Sequence, residues 1–202
     1  AITEAGPFIN SNAHKGFQDV LEPAVQELNQ IINKFGAKSK KIWITGHSFG
    51  GALASLYAGA LINNNHRVYG LYTFGSPRAG DHTFAESLNN AVVGPHYRVV
   101  NAGDIVVHFP PEPFYSHAGK RIILKRDKRE TSKQSWLLLQ ITVVKEFFRD
   151  VADFMDITDN HRLDAGNDSY IQRLRNDAER VNGAVFKKSG LKHQSKVKST
   201  IL

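Results

Sequence analysis

A serine with glycine at both second neighbours, "GHSFG" from Gly46 to Gly50, is the first place in this chain where residue types and spacing point to chemistry. A serine hydroxyl is a weak nucleophile until a base takes its proton. A G-x-S-x-G turn between a strand and a helix holds the serine in a strained backbone conformation with its hydroxyl exposed. On this reading the glycines have a steric role, since a Cβ at Gly46 or Gly50 would collide with the neighbouring strand or helix. Ser48 is therefore the candidate nucleophile, the bland alternative being a polar residue in a tight turn.

On such an architecture the partners follow in the order serine, acid, histidine. Asp104, in "RVVNAGDIVVHFPP", comes a few residues after an apolar run, where an acid at a strand end should sit. Its rival Asp81, in "GSPRAGDHTF", fits better as a helix N-cap. Three histidines lie downstream of Asp104. His108 reads as a core or loop residue. His117 follows "PEPFYS", a loop that could border a cleft, and His161 in "DITDNHRLD" occupies a polar loop that could return an imidazole to the strand ends. Spacing favours His161 and leaves His117 open.

These side chains need a scaffold. Phe17, Val20, Leu21, Val25, Leu28, Ile31, Ile32 and Phe35 recur every three or four residues, a helical stripe in which Pro23 either begins the regular part or kinks it, with Gly36 as terminator. "KIWIT" (Lys41–Thr45) predicts a strand, and Gly50–Ile62 predicts a helix rich in small residues, allowing close packing on a sheet. "VYGLYTF" (Val68–Phe74), "YRVVN" (Tyr97–Asn101) and "RIILK" (Arg121–Lys125) predict further strands, the first two separated by a helix from about Asp81 to Leu88. Trp136 to Met155 carries a long amphipathic stripe, and Tyr170, Ile171 and Leu174 begin a shorter helix. Strands alternating with helices predict an α/β fold with a mainly parallel sheet, whose ligands bind at the carboxyl ends of the strands. Ser48 follows one such end.

Composition narrows the function. The 202 residues suit one domain, and no apolar run is long enough to span a membrane, so no transmembrane segment is expected. The absence of cysteine excludes disulfides, thiol nucleophiles and cysteine zinc sites, and the reading calls for no cofactor and no metal. Of the +7 net charge, Lys120–Lys133 contributes +5 and Gly183–Leu202 another +5, leaving −3 for the remainder. Such blocks mark solvated loops and tails or attraction to an anionic lipid surface. With no nucleic-acid-binding signature, nucleic acid is not an expected partner.

Five segments, "AHKGF" (Ala13–Phe17), "GHSFGGALA" (Gly46–Ala54), "FGSPRAGD" (Phe74–Asp81), "YRVVNAGDIVVHFPP" (Tyr97–Pro111) and "YSHAG" (Tyr115–Gly119), in this order and spacing, resemble the class 3, fungal-type lipases of the α/β-hydrolase superfamily. The resemblance covers Ala13 to about His161. It implies hydrolysis of carboxylic esters of acylglycerols, with Ser48 as nucleophile, Asp104 as acid and His161 as base, because the family's catalytic histidine falls near the end of the domain. It makes His117 a separate structural or cleft residue, and His14 a motif histidine outside the triad.

The resemblance also implies an oxyanion hole formed by the backbone N–H of Phe49 and a second donor. In the family that donor comes from an earlier loop with a Phe-Arg-Gly-Ser/Thr-like motif, followed by a lid helix. The thirteen residues before His14 contain no such motif, and the second donor is not found in this chain. The expectation is therefore a partial lipase-like domain over residues 1–182, incomplete at its N-terminal strands and belonging to a longer protein, and a basic C-terminal tail over residues 183–202. The expected partners are a lipid or small ester substrate, transient contact with a lipid interface, and pairing of the open "KIWIT" edge with another chain. The expected setting is soluble, secreted or cytoplasmic. Other readings are a catalytically weak lipid-binding or interaction protein, a phospholipase A1 or soluble esterase, and a basic surface-binding module.

Overall fold

The computed structural model describes residues 3–5, 12–36, 40–124, 160–164, 166 and 168–189. The stripe predicted over Trp136–Met155 and residues 190–202 of the basic tail lie outside them.

Four parallel strands form the main sheet in the order β3–β4–β5–β6, from Ile42–His47, Val68–Phe74, His96–Asn101 and Lys120–Leu124. Helix α2 (Phe49–Asn63) connects β3 to β4, and α3 (His82–Ala91) connects β4 to β5. Parallel neighbours need such crossovers, because a hairpin cannot return the chain in the same direction. A separate antiparallel pair, β1 (Thr3–Ala5) with β2 (Asn12–His14), precedes α1 (Lys15–Lys34). Helix α4 spans Tyr170–Ser189.

Helix α2 anchors the core. Every residue from Gly51 to Leu61 except the half-buried Leu53 is buried, as expected of a helix apolar all round, and it packs on β3, β4 and α1. Its small side chains permit the close approach: a Cβ added at Gly51 would stand 2.7 Å from Ser76 Cβ. Along α1 the stripe buries Phe17 and Leu21 and half-buries Val25, Leu28 and Ile32 against this core. Val20, Ile31 and Phe35, counted in the same stripe from the sequence, instead face solvent. They lie at the margins of a face that meets one helix, and α2 is too narrow to cover them. Pro23 sits within α1, and the helix stops where Gly36 takes a left-handed conformation at φ 67°.

The expected N-cap is present: Asp81 Oδ1 accepts from the Phe84 N–H at 2.8 Å, which opens α3. Among the described residues β3 forms one margin of the main sheet, with Trp43 half exposed there. The strands' carboxyl ends gather the turn at Ser48, the Gly75 turn and the Asn101–Asp104 loop.

Candidate active site

Ser48 stands between the last residue of β3 and the first of α2 at φ 55°, ψ −130°, a conformation that side chains other than glycine rarely adopt. Its N–H donates to the Phe74 carbonyl at 2.8 Å, tying the turn to the end of β4. Gly46 is essential to this geometry, since a Cβ there would lie 2.1 Å from the Gly50 carbonyl oxygen. Gly50 corrects the expectation for the second glycine: a Cβ at that position meets nothing within 4 Å. The close approach has moved one residue on, to Gly51 against Ser76, because Gly50 is on the exposed side of the first helical turn.

The hydroxyl is also not exposed. Ser48 is fully buried, and its Oγ donates to His161 Nε2 at 2.6 Å. His161 Nδ1–H donates to Asp104, 3.0 Å from Oδ2 and 3.2 Å from Oδ1, with both side chains inaccessible to solvent. The carboxylate fixes the imidazole tautomer and leaves Nε2 as the acceptor facing the serine. The structure thus joins Ser48, His161 and Asp104 in one hydrogen-bonded line. His117 lies elsewhere, donating from Nε2 to the Val107 carbonyl at 2.6 Å, and Asp81 is occupied as a cap. His14 is buried against Phe17 and Tyr115.

Several residues that hold this line belong to no sequence motif. Asp104 Oδ2 accepts from the Tyr170 hydroxyl at 2.6 Å, and Oδ1 accepts from the Val106 N–H at 2.9 Å. The Tyr170 oxygen in turn accepts from the Asn101 N–H at 3.0 Å. Burial and the neighbouring Asp104 charge push the Tyr170 pKa up, so it remains a donor. Room for this pair depends on Gly75, at φ 57°, where a Cβ would stand 2.9 Å from Asp104 Oδ2 and 3.0 Å from the Tyr170 hydroxyl.

The loop that carries His161 is fastened from below. Asn101 Nδ2 donates to the carbonyls of Asn160 and Asp168 at 2.8 and 3.1 Å. Arg173, one turn after Tyr170 on α4, donates to Asp168 Oδ1, Asn160 Oδ1 and the Ala102 carbonyl at 2.9, 2.8 and 3.2 Å. From β3, His47 Nε2–H donates to the His161 carbonyl at 2.6 Å. Burial first, then the proximity of His161, lowers the His47 pKa and keeps that ring neutral. The one sequence signal for the clamp was the i, i+3 spacing of Tyr170 and Arg173, which puts both on one side of a helix.

The Phe49 N–H belongs to the first turn of α2, where a helix supplies no carbonyl partner for its N–H groups and carries the positive end of its dipole. An oxygen bearing developing negative charge beside Ser48 would meet a donor there. Among the described residues no group of histidines and carboxylates could hold a metal ion, and no helix is long and apolar enough to cross a membrane.

With this geometry in place, the likeness to known proteins is specific. A sequence profile of the family described as Lipase (class 3) matches residues 2–114. A lipase of Rhizomucor miehei is 36% identical over 132 residues, 62% of this chain and 36% of that protein. A secreted mono- and diacylglycerol lipase of Malassezia globosa is 34% identical over 109 residues, 52% of this chain and 34% of that protein. Among solved structures, a triacylglycerol lipase whose catalytic centre is formed by a serine protease triad superposes with a TM-score of 0.52 at 30% identity, covering 61% of this chain and 49% of that one. The chain spans about a third of the length of the curated relatives it matches. The family profile covers more than half of the chain, and the parallel sheet with flanking helices is that of the α/β-hydrolases: the chain belongs to the class 3 lipases.

Proposed function

We propose that this protein hydrolyses carboxylic esters of lipids, acylglycerols first among them, through an acyl-enzyme on Ser48. The observation that carries the reading is the continuous hydrogen-bonded line from Ser48 Oγ through His161 to Asp104. His161 Nε2 takes the hydroxyl proton as Oγ attacks the ester carbonyl, and Asp104 holds the ring and stabilises the imidazolium. The same proton passes to the departing alcohol. Water then repeats the sequence on the acyl-enzyme, with His161 as base, and releases the fatty acid.

The oxyanion of each tetrahedral intermediate is met by the Phe49 N–H. The second donor is not assigned to any described residue. Removing one such donor costs on the order of a hundredfold to a thousandfold in rate, so its identity bears directly on turnover. The acylglycerol preference rests on the triacylglycerol and mono- and diacylglycerol lipases among the relatives.

Fluorophosphonate labelling combined with p-nitrophenyl butyrate hydrolysis tests the reading. Covalent modification of Ser48 and turnover should both vanish in Ser48→Ala, the rate falling on the order of 10⁴-fold or more. Label on another residue, or turnover unchanged in Ser48→Ala, would overturn it. A folded protein with neither label nor turnover would be a lipid-binding relative instead.

A further inference from the structure

A second cluster of charge lies behind the Asp104 loop, on the face of the sheet opposite α4. Side chains alternate across a strand: Val99 of β5 and Leu124 of β6 pack on Tyr170, while Arg98 and Arg121 point the other way into a cavity of about 320 Å³. Arg98 and Arg121 are register partners on adjacent parallel strands, so their guanidiniums leave the sheet side by side. Arg78 reaches the same cavity from the loop between β4 and α3.

Among the described residues, one of the three arginines has a carboxylate partner. Arg78 donates to the carbonyls of His108 and Pro110 and to Glu112 Oε1, the last at 2.8 Å. The Arg98 side chain makes no hydrogen bond or ion pair among the described residues, and its Nε is buried without an acceptor. The other carboxylate lining the cavity, Asp104, has its oxygens engaged by His161, Tyr170 and the Val106 N–H. His108 and His117 also line the cavity and stay neutral. Burial lowers both, with Arg78 the next cause for His108 and Arg98 for His117. Burial, then Arg121 and Arg78, push the Arg98 pKa down to about 10, leaving it charged at neutral pH.

Like charges at directly paired strand positions destabilise a sheet, and a buried guanidinium donor without an acceptor carries the cost of its lost hydration. An anion in the cavity removes both costs at once. A carboxylate has two oxygens and is satisfied by one guanidinium fork, whereas a phosphate offers oxygens to two forks in different directions. We propose that this cavity is a phosphate site, gripping a phosphoryl group between Arg98 and Arg121 with Arg78 at its edge. Free phosphate and a phospholipid headgroup share that chemistry.

Calorimetric titration with inorganic phosphate, and co-sedimentation with phosphatidylcholine vesicles with and without phosphatidic acid, test it on the protein and on Arg98→Met and Arg121→Gln. Each variant should weaken phosphoryl binding about tenfold or more. Arg121 is exposed, so its variant keeps the test alive if Arg98→Met does not fold. Loss of inorganic phosphate affinity with vesicle binding unchanged would identify free phosphate as the ligand. Loss of the phosphatidic-acid-dependent sedimentation would identify a headgroup. Binding that is equal in the protein and both variants, or absent from the protein in both assays, would overturn the proposal.

Discussion

The two halves of the Ser48–His161–Asp104 line are built in opposite ways. The serine half is local: a strand, a strained residue and a helix occupy consecutive positions from Ile42 to Asn63, and the geometry is enforced by crowding of Gly46 against the Gly50 backbone and of Gly51 against the Ser76 side chain. The acid–base half is assembled at long range. Tyr170 reaches Asp104 across 66 positions and Asn101 reaches Asp168 across 67, so hydrogen bonds do there what sterics do at the serine. Crowding tolerates no extra atom, whereas a hydrogen-bonded clamp tolerates shape changes and fails when a donor is removed.

That contrast can be broken at either end. Gly46→Ala, which sets a methyl against the Gly50 carbonyl, should cost about 4 kcal/mol in denaturant unfolding and abolish ester hydrolysis with it. Arg173→Leu removes the donor shared by Asp168, Asn160 and Ala102 and should cost about 3 kcal/mol. Hydrogen exchange in that variant should rise at the start of α4 and in β5 while the interior of α2 stays protected.

Acid should weaken the fold through two histidines that lie outside both halves. Burial holds His96 at about 4, and burial together with the Arg98 charge holds His117 at about 3, both below the ordinary histidine value. Because the unfolded chain takes up these protons first, the stability they contribute is complete above pH 6.5 and is lost as pH falls from there toward 4 and 3. A loss on the order of 4 kcal/mol between pH 6.5 and 4.5, about half from each histidine, is expected in thermal unfolding, and it should be roughly halved in His117→Gln.

Smaller effects sharpen the picture. Tyr170→Phe keeps the ring packing but strips a donor from Asp104 and an acceptor from Asn101. It should lower kcat about tenfold, with KM unchanged and about 1–2 kcal/mol lost in stability. Gly50→Ala, although it alters the motif, should leave activity intact and shift stability by less than about 1 kcal/mol, toward greater stability if anything.

These differences explain what could be read before any coordinates. β4 matches the run Val68–Phe74, and α2 and α3 begin within a residue of where composition and the Asp81 cap put them, because each is dictated by near neighbours. The groups that fix Asp104 and the His161 loop are different in kind. Tyr170, Asn101 and Arg173 are ordinary residues for a helix or strand, and only the tertiary fold makes them ligands of one carboxylate and one loop. The same holds for solvent exposure. Nothing in "GHSFG" indicates that the imidazole would close over the serine, or that one of its two glycines would face open space.

The distance along the chain between Ser48 and His161 has a consequence for synthesis. The 113 positions that separate them take roughly 6 to 23 s to translate at 5–20 residues per second. The turn that presents the serine is complete long before its imidazole exists. The clamp that seats the imidazole waits longer still, for Tyr170 and Arg173. Until the helix that carries them docks, a nascent chain holds Ser48 without the hydrogen-bonded line that joins it to His161 and Asp104.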